Sequence, residues 1–583
     1  MGLPRAIKAH GAGNLGEAEL HYRRAYDQGD RPDILYQNFG VLLKKVGNIE
    51  QARLLFEEGM TAYPKHAGIK RNYANLLRKT QPSYAVELYL HAIHLTLFNE
   101  QESDFLYSCC DDLIELLRER HLLCWGRSCI QFVLLTHRPS AQLLKNILLI
   151  VDRMDLSEDI KQLVVSAIDS ELRVAPLKDA VGLDFALASY YLHDAQQDRS
   201  FWHFERAFLR IREAQSISQE EGEMIQELID INSWNCGCNL LALQKFERGW
   251  TLFDHGLRTP APGQQRWQRA LAKPFTAMEL PIWMGESLSE FKLLLLDEQA
   301  IGDGMMFLTL VPALLPETKH IGLFISSRLA PIYIRSFSSL ISEHKLSVFT
   351  KEDLSTGRLK VSDFDRQIPL GSICQYRFLD PDSYAPCTPI IIADNSLAHS
   401  LRDEYRNMGS TTKRLVGVSW RGGGRGARIK EKSMPVSLFA ELMLKHPEIR
   451  FIDLQYGKTS DQINSWRNQG IDIIHDSRID PLKDMDRWLS QVKACDAVVS
   501  VANTTIHGSG GLNIPTQCLL SLYSDWRWLA DLSVTRSYWY PSVGIARESK
   551  NDLDSWSSAI NLVSNWLYDG NPMPSGPIKS LVQ

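Results

Sequence analysis

The sequence contains no uninterrupted apolar run of about 18 residues, so no membrane span is expected. It contains no CxxC pair and no Cys/His cluster at zinc spacing. Its ten cysteines are scattered, which reads as free thiols in a reducing, cytoplasmic compartment rather than a disulfide framework. The closest groupings, Cys109–Cys110 and Cys236-Gly-Cys238, lie in apolar helical sequence and read as buried thiols. There is no excess of positive charge: 64 Lys and Arg stand against 69 Asp and Glu, a net charge of −5. General nucleic-acid binding is therefore not expected. The opening Met-Gly-Leu-Pro-Arg-Ala gives no expectation of a secretory leader and lacks the Ser/Thr of a myristoylation site.

What is present is ordinary in bulk and specific in pattern. Apolar residues make up 44% and charged residues 23%, as in globular domains. The 583 residues leave room for about three or four domains. In the first half, a shift of 34 residues matches Ala18 to Ala52, Tyr22 to Phe56, Asn38 to Asn72, Phe39 to Tyr73, Gly40 to Ala74 and Leu42 to Leu76. This is the tetratricopeptide period, in which small residues admit a neighbouring helix and aromatics fill the gap to the next repeat. Tyr89 and Ala92 continue it, and a degenerate unit follows around Leu187, Tyr190, Phe204 and Ala207. The stretch 243–253 reads as the last unit. Residues 11–16 spell GAGNLG, but no strand precedes them, so no dinucleotide site is expected there. Stacked repeats present a concave surface, suited to a protein or glycan partner or to a second copy of the chain.

After residue 286 the periodicity changes. The run 292–307, KLLLLDEQAIGDGMMF, reads as a buried strand, a polar Gly-containing turn and a helix start. Strand-like runs at 321–326 and 346–350 follow, and a second series occupies 415–420, 450–455, 471–475, 497–501 and 517–521. Alternation of strands with helical segments predicts parallel sheets, with ligands at the C-terminal ends of the strands.

Three loops at those ends carry candidate chemistry. Trp420 and Arg421 lead into a Gly/Arg stretch that reaches Lys430 and Lys432, with cations suited to phosphate and glycines suited to close approach. Gln455 and Tyr456 end another strand; they serve either a base edge and a stacking face, or a strand-end cap and a packed ring. The third loop runs Asn503, Thr504, Thr505, Ile506, His507, Gly508. Its helix start favours a phosphate, and its small residues permit close packing or close ligand approach. DxD triplets at 363–365, 380–382 and 484–486 follow no convincing strand, so no metal is expected.

Several motifs together resemble bacterial tetratricopeptide proteins fused to a GT-B glycosyltransferase, related to heptosyltransferases and more distantly to O-GlcNAc transferases. They are PIWMGE (281–286), 292–307, SRLAPIYIRSF (327–337), VGVSWRGGG (416–424), FIDLQYG (451–457), DAVVSVANTTIHGSGGLNIPT (496–516), DWRW (525–528) and SYWYPS (537–542). The resemblance implies α-helical repeats followed by two Rossmann-like domains. The expected bounds are repeats at 1–100, a degenerate helical connector at 101–285, an acceptor-side domain at 286–410 and a donor domain at 411–583. It also implies metal-independent, inverting transfer from a nucleotide-sugar donor. Asp303, beside Gly302, would be the general base, Lys432 (or Lys430) would stabilise the leaving diphosphate, and the 503–508 loop would bind the donor phosphate. Two departures stand out: Ala502 occupies a position where many relatives have Asp, and Gly-Ser-Gly-Gly follows His507. The alternative is a repeat scaffold whose α/β half keeps only the fold.

Overall fold

The computed structural model describes residues 2–96, 141–151, 157–194, 196–214, 218–257, 269, 274–384, 389–409, 412–422, 432–522, 525–549 and 555–579, with separate positions between 105 and 134. It divides into two compact units, Met1–Tyr191 with Trp202–Ile225, and Leu192–Phe201 with Gln226–Gln583.

The first unit is helical, and its opening is tetratricopeptide-type pairs: Gly2–Gly11 with Leu15–Asp27, Asp33–Lys45 with Ile49–Ala62, and Ala67–Leu77 with Pro82–Thr96. The matched aromatics hold successive pairs together. Tyr22 stacks on Phe39 with ring centroids 5.4 Å apart, and one repeat later Phe56 meets Tyr73 at 5.9 Å. The small positions are sterically required: a Cβ on Gly40 would fall 2.4 Å from the Phe56 ring. GAGNLG lies in the first inter-helix turn, where Gly13 takes φ 79°. Toward the end of this unit, the fully buried Asp184 accepts from Arg206 at 2.6 Å and Arg210 at 2.8 Å, with His203 Nδ1 at 3.0 Å. Such a buried carboxylate is tolerated because every partner is in place.

The second unit carries two wholly parallel sheets. The first has β1 (Lys292–Leu296), β2 (His320–Phe324), β3 (Leu346–Phe349) and β4 (Arg366–Pro369) in the order β3-β2-β1-β4. The second has β5 (Arg414–Ser419), β6 (Ile449–Asp453), β7 (Ile473–Ile474), β8 (Ala497–Val501), β9 (Thr516–Leu520) and β10 (Val543–Arg547) in the order β10-β9-β8-β5-β6-β7. The architecture is therefore a pair of Rossmann-like parallel sheets after helical repeats. Two strands, β4 and β10, lie outside the sequence expectation. The helix Asn395–Asn407 precedes the expected boundary at 410, yet Arg402 and Arg406 bond to Asp496 and Tyr405 to Asp476, all beside the second sheet.

The stretch expected to close the repeats is absorbed into the α/β core. The helix Phe246–Phe253 buries Phe246, Trp250 and Phe253. Trp250 and Phe253 meet Trp526 at 5.3 and 5.1 Å, and Phe246 meets Tyr538 at 5.7 Å. A buried ion-pair cluster is centred on Arg269. Arg269 donates to Glu298 from Nε and Nη2 at 2.5 and 2.6 Å, and from Nη1 to Asp254 at 2.6 Å. Trp250→Ala should lower stability by about 3–5 kcal/mol, the cost of a large core truncation; a urea midpoint equal to wild type would contradict this docking.

Candidate functional site

In both sheets the strand order reverses beside a central strand, between β1 and β4 and between β5 and β8. Ligand crevices of open α/β sheets lie beyond the carboxyl ends of the strands at such points. The turn after β1 and the loops after β5 and β8 converge there.

The turn after β1 contains three acids with three destinations. Asp297 accepts from the amides of Glu298 at 2.9 Å and Ser326 at 3.2 Å. Burial pushes its carboxyl up to about 6, against the pull of those amides. Glu298 holds Arg269 and accepts from the Gly371 amide at 2.5 Å. Asp303 sits in the first turn of the helix Ile301–Leu308 and accepts from the Ala300 amide at 3.2 Å. It thus caps its own helix. Gly304 has no room for a side chain, since a Cβ would fall 2.5 Å from Asp297 Oδ1.

Asp303 also reaches across to the loop after β9. Arg527 donates to Asp303 Oδ1 from Nε at 3.0 Å and from Nη2. The same guanidinium donates from Nη1 to Asp525 Oδ2 at 3.0 Å, and Lys432 Nζ approaches that oxygen at 3.3 Å. The two residues expected to act as base and as leaving-group stabiliser are therefore the ends of one row: Asp303, Arg527, Asp525, Lys432. Burial pushes the Asp525 carboxyl up, but Arg527 and Lys432 pull it further down, to about 2. Lys430 lies outside the described residues.

The loop after β8 is organised by Asn503. Its Oδ1 accepts from the Thr505 amide at 2.8 Å and caps the helix Thr504–Gly511. Its Nδ2 donates to Ser419 Oγ at 2.7 Å and to the Arg421 carbonyl at 3.1 Å, which ties this loop to the end of β5. Thr504 and His507 approach the first sheet's helix from the facing side. A Cβ on Gly302 would fall 2.9 Å from His507 Cδ2 and 3.5 Å from Thr504 Oγ1. The absence of a side chain at 302 therefore lets the two helix starts pack together. His507 is buried, with Nδ1 3.1 Å from the Tyr540 hydroxyl. Burial lowers its imidazole to about 4, so it is neutral at pH 7.

Several expected donor contacts have other partners. Trp420 is a core residue, its ring 4.5 Å from that of Trp466 and its side chain buried with Phe439. Gln455 Oε1 accepts from Ser419 Oγ, the Trp420 amide and the Arg421 amide at 3.0, 3.1 and 2.8 Å. It is a strand-end strap, and those three donors leave that oxygen no free direction for a base edge. Tyr456 is half-buried, and its carbonyl accepts from Arg421 Nη2 at 3.0 Å. Thr505 is buried. Gly508 serves packing, since a Cβ there would lie 3.0 Å from Trp488 and Leu489; Gly510 and Gly511 face Tyr540 and Ile391 in the same way. The DxD acids have structural partners: Asp363 and Asp365 accept from the Lys360 and Lys292 amides, Asp380 and Asp484 cap short helices, and Asp486 pairs with Arg335.

Sequence reasoning missed Arg527 and Asp525 as site residues, although both stand in the DWRW stretch. Their signal was a charged pair inside an aromatic motif.

No family model matches the chain. A curated relative, Protein FlbA of Caulobacter vibrioides, is 22% identical over 551 residues, covering 93% of this chain and 85% of its own length. The solved E. coli ADP-heptose LPS heptosyltransferase II aligns at 13% identity and a TM-score of 0.32, over 48% of this chain and 99% of its own. A tetratricopeptide repeat protein from Parabacteroides merdae aligns at 14% identity and a TM-score of 0.25, over 43% of this chain and 90% of its own.

The buried imidazole makes a signed pH prediction. Unfolded, His507 takes a proton near 6.5; folded, it resists until about 4. Its contribution is therefore complete above pH 6.5 and is lost as pH falls toward 4, by on the order of 3 kcal/mol. Asp297 acts in the opposite sense, since its raised carboxyl is relieved by protonation as pH falls through 6. The clean observable is thus a difference between wild type and His507→Gln. From about pH 7.5 to about 4.5, the wild-type urea midpoint should fall relative to the variant's. A constant gap would mean that His507 is not held neutral.

Proposed function

We propose that this chain is a glycosyltransferase that moves a sugar from a nucleotide-sugar donor to an acceptor hydroxyl with inversion and without a metal. The observation that carries the reading is the row Asp303, Arg527, Asp525, Lys432, which brings an acid on the first sheet to cations on the second at their strand ends. The Asp303 carboxylate takes the acceptor proton while the acceptor oxygen bonds to the anomeric carbon. The bond from that carbon to the phosphate oxygen breaks, and its electron pair leaves with the nucleoside phosphate. Arg527 and Lys432 face the charge that develops there, and the positive end of the Thr504–Gly511 helix adds to them. The helical repeats would recruit the acceptor, a protein or a glycan carrier.

A second reading has one observation behind it. Both oxygens of Asp303 are engaged, one by Arg527 and one by its own helix start. A non-catalytic repeat scaffold would keep such a pair for stability alone.

A thermal-shift screen against UDP-, GDP-, ADP-, CMP- and dTDP-sugars finds the donor, and a transfer assay with that donor separates the readings. Asp303→Asn should lower the transfer rate by about 10²–10⁴-fold, the range of a general base. Lys432→Ala should lower it by roughly 10²-fold or more, as for one lost charge stabiliser. Transfer at the wild-type rate in both variants, or no transfer from any donor by the wild type, would remove the enzyme reading.

A further inference from the structure

Arg527 touches the proposed base and the proposed phosphate side at once. Its guanidinium gives Nε and Nη2 to Asp303 and Nη1 to Asp525, while Lys432 leans on the second carboxylate from beyond. The row is formally neutral, two acids alternating with two cations. Asp303 Oδ1 accepts two guanidinium bonds and Oδ2 accepts the Ala300 amide. A general base needs a lone pair aimed at the proton it removes, and Arg527 takes both of those on Oδ1. A phosphate meets the mirror image of the problem, because the cation it would seek is already neutralised.

Backbone strain sits on both sides of this contact. Gln299, in the turn that leads to Asp303, has φ 61°, and its Oε1 lies 3.5 Å from Arg527 Nη2. Leu529, two residues after Arg527, is fully buried with φ 58° and ψ 157°. Non-glycine residues occupy such regions only where the surroundings impose them, and they gather at sites that change state. The carbonyl of Trp528, next in the chain, is held by Arg547 Nη2 at 2.7 Å, so the backbone beyond Arg527 is anchored while its side chain spans two loops.

We propose that Arg527, held on Asp303, is a donor-phosphate ligand, and that the donor's phosphate draws it away and so frees Asp303 as the base. The proposal rests on the glycosyltransferase reading and adds an order to it: the donor binds first, and the acceptor hydroxyl meets a competent base only when the donor is in place. A planar guanidinium makes paired bonds to phosphate as readily as to carboxylate, so the exchange trades one strong contact for another. After the exchange, Lys432 and Arg527 face the phosphate together.

Calorimetric titration of UDP, GDP, ADP, dTDP and CMP into the full chain tests this. Asp303→Asn should bind the preferred nucleotide about tenfold tighter than wild type, since Arg527 no longer has to be released from a charged partner. Arg527→Ala should bind it at least about tenfold more weakly. The decisive variant is the double one. Added to Arg527→Ala, Asp303→Asn should bring no gain, because the gain acts through the guanidinium. A gain that persists in the Arg527→Ala background would be plain relief of charge repulsion and would overturn the proposal. Wild-type binding with an unchanged or weakened Asp303→Asn variant would overturn it too, while sugar transfer by the wild type would leave the glycosyltransferase reading standing. No binding of any nucleotide by the wild type would overturn both. A misfolded variant cannot imitate the central result, which is tighter binding.

Discussion

The second unit depends on one seven-residue turn, 297–303, and on where its three carboxylates go. Asp297 ties it to the stretch after β2, Glu298 to the buried Arg269 and the turn after β4, and Asp303 to Arg527 beyond β9. None of these acids points into solvent as a spare charge. Each carries backbone amides or an arginine, which is the condition under which a buried carboxylate is stable. The turn is thereby fixed against Arg269 and against both sheets. The helix it launches has a set direction, and Asp303 has a set position within it.

The same constraint explains the small residues around the site. Gly302 and Gly304 leave room for His507 and Asp297, and Gly508, Gly510 and Gly511 leave room for Trp488, Tyr540 and Ile391. In sequence they look like a loop built for a ligand; in space they are the surfaces along which the two α/β halves and their helices close. Close backbone approach, rather than flexibility, is what these glycines supply.

Legibility in the sequence followed the range of the interaction. The repeats were readable because Tyr22, Phe39, Phe56 and Tyr73 recur at a fixed period and pack locally. The strand β1 was readable because four leucines in a row suit a strand covered on both faces. β4, Arg366–Pro369, was not, because it is short, begins with a charge and ends in proline. Trp420 and Gln455 sit where a ligand-binding residue would sit, and only the geometry shows that Trp466 and the Arg421 amide claim them. Arg527 was the hardest to read, since its partner Asp303 is 224 positions away and nothing local announces the pair.

The helix Phe246–Phe253 bears on how such a chain can be assembled from parts. Its pattern is that of a repeat, but its aromatic face is mortar for the α/β core, against Phe307, Trp526 and Tyr538. The segment Leu192–Phe201 is set in the same masonry, with the Gln197 carbonyl held by Asn239 and the Phe201 ring under Lys245. Recombination at the point where the sequence changes character, near 286, would strip the α/β half of its foundation and leave an oily wound. A lineage that exchanges one set of helical repeats for another must therefore cut within the helices upstream and carry these borrowed bricks along with the two sheets.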